Sequence, residues 1–263
     1  MLQGTYKTPT MEKLKPVQLE PIKLWDAMDV RKLLDYKGRK SFMSLIDTVV
    51  NILNTVDIPY YENVIAVPPA TKKGRYNFHL SRFACFLLVG IADRKKESVV
   101  KLQDIIFHEF KQYGIDRNHF AGIDRFDVRE ELADANKQLN RRAARSNIKD
   151  YASFYEAGYS GLYSMNSREL HEWRKVPIDT NFSDLMGGTE LAANLLRVNL
   201  TEEAIRVKNV KQQKNLEQVH FNVSNSIRNI LHQNLGIYPE QLRLLTDLDD
   251  LKHELKTAYQ KMM

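Results

Sequence analysis

A helical hydrophobic period recurs along almost the whole chain and is interrupted at one place, and this constrains the fold most. From Asp26, the residues Met28, Val30, Leu33 and Leu34 fall on one face, with Gly38 as a stop. Phe42, Leu45, Ile46, Val49, Ile52 and Leu53 repeat the pattern over 41–54. The same reading predicts helices over 80–89, 98–113, 126–145, 190–200, 215–233 and 247–263, with a further start at Thr201. Thr189 is the expected cap of the 190–200 helix, whose first-turn Glu190 suits the dipole. The interruption runs from Ile58 to Phe78. It holds β-branched and aromatic residues (Tyr60, Tyr61, Val64, Ile65, Val67), a Pro68-Pro69 pair and a basic Thr71-Lys72-Lys73-Gly74 turn. Two short strands around that turn are predicted. Residues 151–188, punctuated by Gly158, Gly161, Gly187 and Gly188, read as irregular. The fold class is α+β, predominantly α-helical.

With 263 residues the chain is long enough for two domains without disulfide staples. A 43% hydrophobic and 27% charged composition, with 11 Gly and 8 Pro, excludes collagenous and wholly disordered classes. The longest apolar run, Phe83–Ala92, is about half of what a membrane-spanning helix needs. No apolar leader opens the chain, so a cytoplasmic protein is expected. The single Cys85 can form neither an internal disulfide nor a thiolate metal cluster, and its apolar neighbours predict an inert thiol.

Familiar catalytic signatures are missing. There is no P-loop, dinucleotide fingerprint or Gly-x-Ser-x-Gly elbow, and His108-Glu109 lacks the second histidine of a zinc protease. The seven histidines are dispersed, so no metal or other cofactor is expected. Dispersed carboxylates that converge only in three dimensions leave a metal-dependent nuclease open.

Charge points toward a polyanion. The net charge is +6, and residues 1–130 hold 21 basic against 16 acidic side chains, whereas 131–263 hold 18 against 17. A solvated basic surface explains the same numbers. Among local features, Lys72, Lys73 and Arg75 sit at the predicted hairpin tip, where glycine lets backbone approach phosphate. Arg82 lies between Leu80 and Phe83 and either packs or presents its fork to an anion. Arg94 and Lys95 belong to a helix-junction run. From Lys137 to Lys149 there is no acid, and Arg141, Arg142, Arg145 and Lys149 are predicted to form a stripe on one helical face. Such a stripe repels itself unless an anion is near; a solvated helix end, favoured by the dipole, is the alternative. Gly187–Glu190 can cradle an anion, but Glu190 opposes this and a tight turn with a cap fits better. Tyr159 and Tyr163 read as core residues rather than base-stacking platforms.

Three stretches carry a resemblance. They are Leu80-Ser81-Arg82-Phe83-Ala84-Cys85-Phe86-Leu87-Leu88 followed by Asp93-Arg94-Lys95; Ala157-Gly158-Tyr159-Ser160-Gly161-Leu162-Tyr163; and Asp184-Leu185-Met186-Gly187-Gly188-Thr189-Glu190-Leu191-Ala192-Ala193-Asn194-Leu195-Leu196-Arg197. In this order and spacing the chain resembles the DNA-damage-inducible protein D family, over about residues 24–245. The N-terminal part of that family is similar to the Bro-type domain of phage and viral antirepressors. The chain departs from the family in its short, Pro-rich 55–78 segment and in Ser164, where the family tends to have glycine. The resemblance implies a Bro-like α+β domain (24–135) with the small β element and a helical domain (136–245); the polar, Pro-containing start reads as an arm (1–23) and the charged end as a terminal helix (246–263). It implies a non-enzymatic bacterial factor of the DNA-damage response or of a mobile element. Its partner is then DNA, or a DNA-bound protein such as a recombinase filament or a repressor. An antirepressor-type module with little DNA contact is the alternative, and an oligomer is left open.

Overall fold

The structure is a computed structural model that describes residues 17–19, 22–69, 71, 74–115, 119 and 122–263. Lys72 and Lys73 lie outside the described residues. Two compact units result: residues up to Ile123 together with Asp249–Met263, and Asp124–Leu248.

The first unit is α+β. Strands β1 (Val17–Leu19), β2 (Ile22–Asp26), β3 (Val64–Val67) and β4 (Asn77–Ser81) form an antiparallel sheet in the order β1-β2-β4-β3. The predicted hairpin is present, with Val64 opposite Leu80 and Val67 opposite Asn77. Tyr60 and Tyr61 are not in it. They begin a short helix, α3 (Tyr60–Asn63), because Asn63 turns back to bond the Pro59 carbonyl at 2.8 Å. Residues 17–19 and 22–23 of the segment read as an arm (1–23) belong to strands β1 and β2, and β2 pairs with β4 in register Leu24 to Ser81. Helices α1 (Ala27–Leu33), α2 (Arg39–Thr55) and α5 (Glu97–Phe110) surround α4 (Arg82–Gly90).

Helix α4 is the core of this unit. Its apolar residues Phe83 to Val89 are all buried, so a continuous apolar run of this length is an internal helix. Ser81 ends the strand and caps the helix, accepting from Ala84 N at 3.0 Å and donating to Asn63 Oδ1 at 2.6 Å. At the other end Gln103 Nε2 donates to the Val89 and Gly90 carbonyls. Cys85 is fully buried, and burial pushes its thiol well above the ordinary range. The terminal helix, here α12 (Leu248–Met262), belongs to this unit. Its Tyr259 ring lies 5.3 Å edge-on from Phe83.

The second unit is helical: α6 (Arg125–Ala144), α7 (Tyr151–Tyr163), α8 (Ser167–Arg174), α9 (Phe182–Leu185), α10 (Gly188–Val207) and α11 (Gln213–Leu235). The division between units falls after Ile123, not at 135. The physical reason is that α6 is one uninterrupted rod whose Leu132, Ala135, Leu139 and Ala143 all enter the second core. Three further differences from the sequence reading have local causes. Helix α10 does not stop near Leu200 but runs through Thr201 to Val207. Its N-cap is Gly187, not Thr189, and no side chain caps it. And 151–188, expected to be irregular, holds the helices α7, α8 and α9.

Gly158 and Gly161 do not break α7; they let α11 approach it. A Cβ on Gly158 would collide with the Arg197 guanidinium and the His220 ring. One on Gly161 would stand 2.5 Å from the Phe221 carbonyl oxygen and 2.7 Å from Ser224 Cβ. Backbone cannot swing aside as a side chain can. Gly161→Ala is therefore expected to destabilise the protein by about 1–3 kcal/mol, despite alanine's better helix propensity. Urea unfolding of the whole chain measures this, and a variant as stable as the parent would refute the close packing. Ser164, beyond the end of α7, adopts φ 54°, the left-handed C-cap conformation that glycine takes without strain.

Candidate functional site

The second unit contains two polar constructions, one buried and one exposed. The buried one grows from α10. Glu190, Asn194, Arg197 and Thr201 recur at spacings of four, three and four, so they share a face, and all are buried. Glu190 meets Arg174 of α8 at 3.0 Å, with side-chain exposures of 1% and 4%. Arg174 also donates to the Glu240 and Pro239 carbonyls. Tyr163 donates to the other Glu190 oxygen at 2.8 Å and accepts from Asn194 Nδ2 at 2.8 Å. Burial raises the Glu190 carboxyl against the pull of Arg174 and Tyr163. Arg228 of α11 forms a bidentate pair with Glu240 at 2.6 and 2.8 Å, under the Tyr238 ring.

Among the described residues Arg197 has no carboxylate partner. Its Nη1 donates to His220 Nε2 at 2.9 Å, and His220 Nδ1 lies 3.0 Å from the Phe154 carbonyl. A guanidinium only donates, so His220 must accept at Nε2 and carry its proton on Nδ1, the neutral tautomer. Burial, then the Arg197 charge, lower its pKa to about 3. The Gly187–Glu190 turn is thus no anion cradle, since Glu190 points inward to Arg174. Tyr163 is core, fully buried, and stacks with Tyr159 at 5.8 Å. Through this cross-bonding, Glu190, Asn194 and Arg197 of the 184–197 segment hold the bundle in one arrangement. Among the described residues, no three His, Cys, Asp or Glu side chains converge to hold a metal ion.

The exposed construction lies where two turns meet. The α6–α7 turn and the α10–α11 turn are knitted by Gln212 N to Ser146 O at 3.1 Å and Lys211 Nζ to Arg145 O at 3.1 Å. Gln213 adds three bonds, accepting from the Lys149 and Asp150 amides and donating to the Asp150 carbonyl. Arg145 and Lys149 are therefore neighbours of Lys208, Lys211 and Lys214, and all five are exposed. Sequence reasoning missed the last three. The signal was present, since no acid stands between Glu203 and Glu217. An open groove beside α11 is lined by Lys208, Lys211, Asn215 and Gln218, with no carboxylate in its wall.

The other predicted site residues divide. Arg141 is exposed on α6, and Arg142 pairs with Glu202 of α10 at 2.7 Å. The stripe is not one helical face. Helix α6 ends at Ala144, Asn147 takes φ 66°, and Lys149 follows the turn. In the first unit, Arg82 is ion-paired with Glu109 and faces the Phe110 ring at 5.7 Å. Arg75, Arg94 and Lys95 are exposed in loops.

Residues 122–251 match the family model of the DinD C-terminal domain. Over 252 residues the chain is 28% identical to the DNA damage-inducible protein D of Escherichia coli (strain K12), an alignment covering 88% of this chain and 90% of that protein. The residues matched by the family model include the buried α10 network. Among the described residues, no helix is long and apolar enough to cross a membrane.

Proposed function

We propose that this protein is a non-enzymatic regulator of the DNA-damage response or of a mobile element, acting on DNA or on a DNA-bound protein such as a recombinase filament or repressor. The observation that carries this reading is the end-to-end similarity to a protein named for induction by DNA damage. The first unit is assigned as a Bro-like α+β domain, supported by its small antiparallel sheet beside helices. The non-catalytic part of the reading is supported by what the reactive groups are doing. Cys85 is sealed in the α4 core, and His220 is held neutral between Arg197 and a carbonyl. His171 is buried between the Ser167 and Thr180 carbonyls. The cytoplasm is the compartment this role requires.

The test compares protein level and survival, with and without a DNA-damaging treatment, in cells that carry or lack the gene. The reading expects induction and a damage-dependent survival difference; neither appearing would reject it. Purified protein incubated with DNA and a divalent metal should leave the DNA intact. Chelator-sensitive cleavage would replace the regulator reading by a nuclease.

A further inference from the structure

We propose that the two knitted turns of the second unit, with the first turn of α11, form a contact for the phosphate backbone of DNA, made by Arg145, Lys149, Lys208, Lys211 and Lys214. The proposal rests on the reading above and gives it a surface. Within the described residues these five cations have no ion-pair partner, although they converge on one pole of the bundle. Asp150 and Glu217 stand at the same turns, where Asp150 caps α7 by accepting from Ser153 N and Glu217 accepts from Ser153 Oγ and Gln213 Nε2. The five cations outnumber these two carboxylates, and an excess of positive charge gathered in this way attracts a polyanion.

The adjoining groove has matching chemistry. Lysine ammoniums and side-chain amides supply donors, and no carboxylate faces in to repel phosphate. Helix α11 begins here without a side-chain cap or an acid in its first turn, and Lys214 stands where the macrodipole disfavours a cation. A bound phosphate would relieve both. The turns are held together by a main-chain bond and by the Gln213 and Lys211 side chains, so the pole is preformed, while the side chains of Lys149, Lys208 and Lys214 are exposed and can follow a strand. Lysines as point charges, with no side chain set to read base edges, suit backbone contact without sequence preference. An acidic protein fits less well, since the groove offers only Val210 and Val219 where a protein interface centres on a buried aromatic or apolar anchor.

The experiment uses the full chain and its Lys208→Ala/Lys211→Ala/Lys214→Ala variant, titrated with a labelled mixed-sequence duplex and with one of its strands over a salt series. The parent should bind with a steep salt slope. The variant should lose roughly 0.9 units of slope on duplex per missing contact, and on the order of tenfold or more in affinity at low salt. The loss should be equal at unrelated sequences. A larger loss on the single strand names that form as the ligand. A Lys→Arg triple variant should restore binding, and thermal unfolding should show all variants folded. An unchanged slope in the alanine variant, or no binding by the parent, overturns the proposal. So does capture of a protein from nuclease-treated extract that is lost in the alanine variant while DNA binding is unaffected. Failure here leaves the damage-dependent survival difference standing; absence of that difference, with DNA binding intact, would reject the regulator and keep the pole.

Discussion

Arg174→Met is expected to destabilise the protein by about 3–5 kcal/mol, because it leaves Glu190 buried as an unpaired charge. Three acceptors lose their donor together: one Glu190 oxygen and the carbonyls of Pro239 and Glu240. Methionine matches the stem in length, so the loss is chiefly electrostatic rather than a cavity. Adding Glu190→Gln should recover a substantial part. It removes the stranded charge, yet its amide oxygen can still accept from Tyr163. Urea midpoints of the parent, both single variants and the double variant form the cycle. If Arg174→Met lies within about 1 kcal/mol of the parent, the pair is not the anchor described here.

Acid should weaken the same unit through His220. Its folded pKa is lowered to about 3 from an ordinary 6.5, so in between the unfolded chain binds the proton and the folded one does not. Stability from this site is therefore fully present above about pH 6.5. It falls by up to about 1.4 kcal/mol per unit as pH drops toward 3. Glu190 acts in the opposite sense, since burial raises its carboxyl, so only the difference between proteins isolates the histidine. His220→Gln should be less stable than the parent at neutral pH and lose less on acidification between pH 6.5 and 4.5. Parallel curves for the two proteins would show that His220 does not titrate with unfolding.

Much of the fold was legible because helical periodicity is local. The helices over 39–55, 125–144 and 213–235 follow from apolar spacing alone, and the 64–67 and 77–81 strands from β-branched residues about a turn. Arg82 was legible only as a choice between packing and anion binding. Its distant partner Glu109, placed beside it by the fold, decided for an intramolecular pair. Arg142 was grouped with its neighbours for want of any acid nearby in sequence, and Glu202 answers it from another helix.

Taken by itself, the sequence determined helix content, the 64–67 and 77–81 half of the small sheet, the buried α4 and a net positive charge, each of which depends on residue type within a few turns. Tertiary structure decided which polar residues are interior and which cations remain free. Gly158 and Gly161 look like breakers until α11 lies against them. Glu190, Asn194 and Arg197 look like surface positions until Arg174, Tyr163 and His220 arrive from other helices. Lys149 and Lys211 become one pole only because hydrogen bonds, one of them between main chains, join two turns far apart in sequence. The reason is common to all three cases: desolvation and ion pairing depend on distance in space, which periodicity along a chain does not encode.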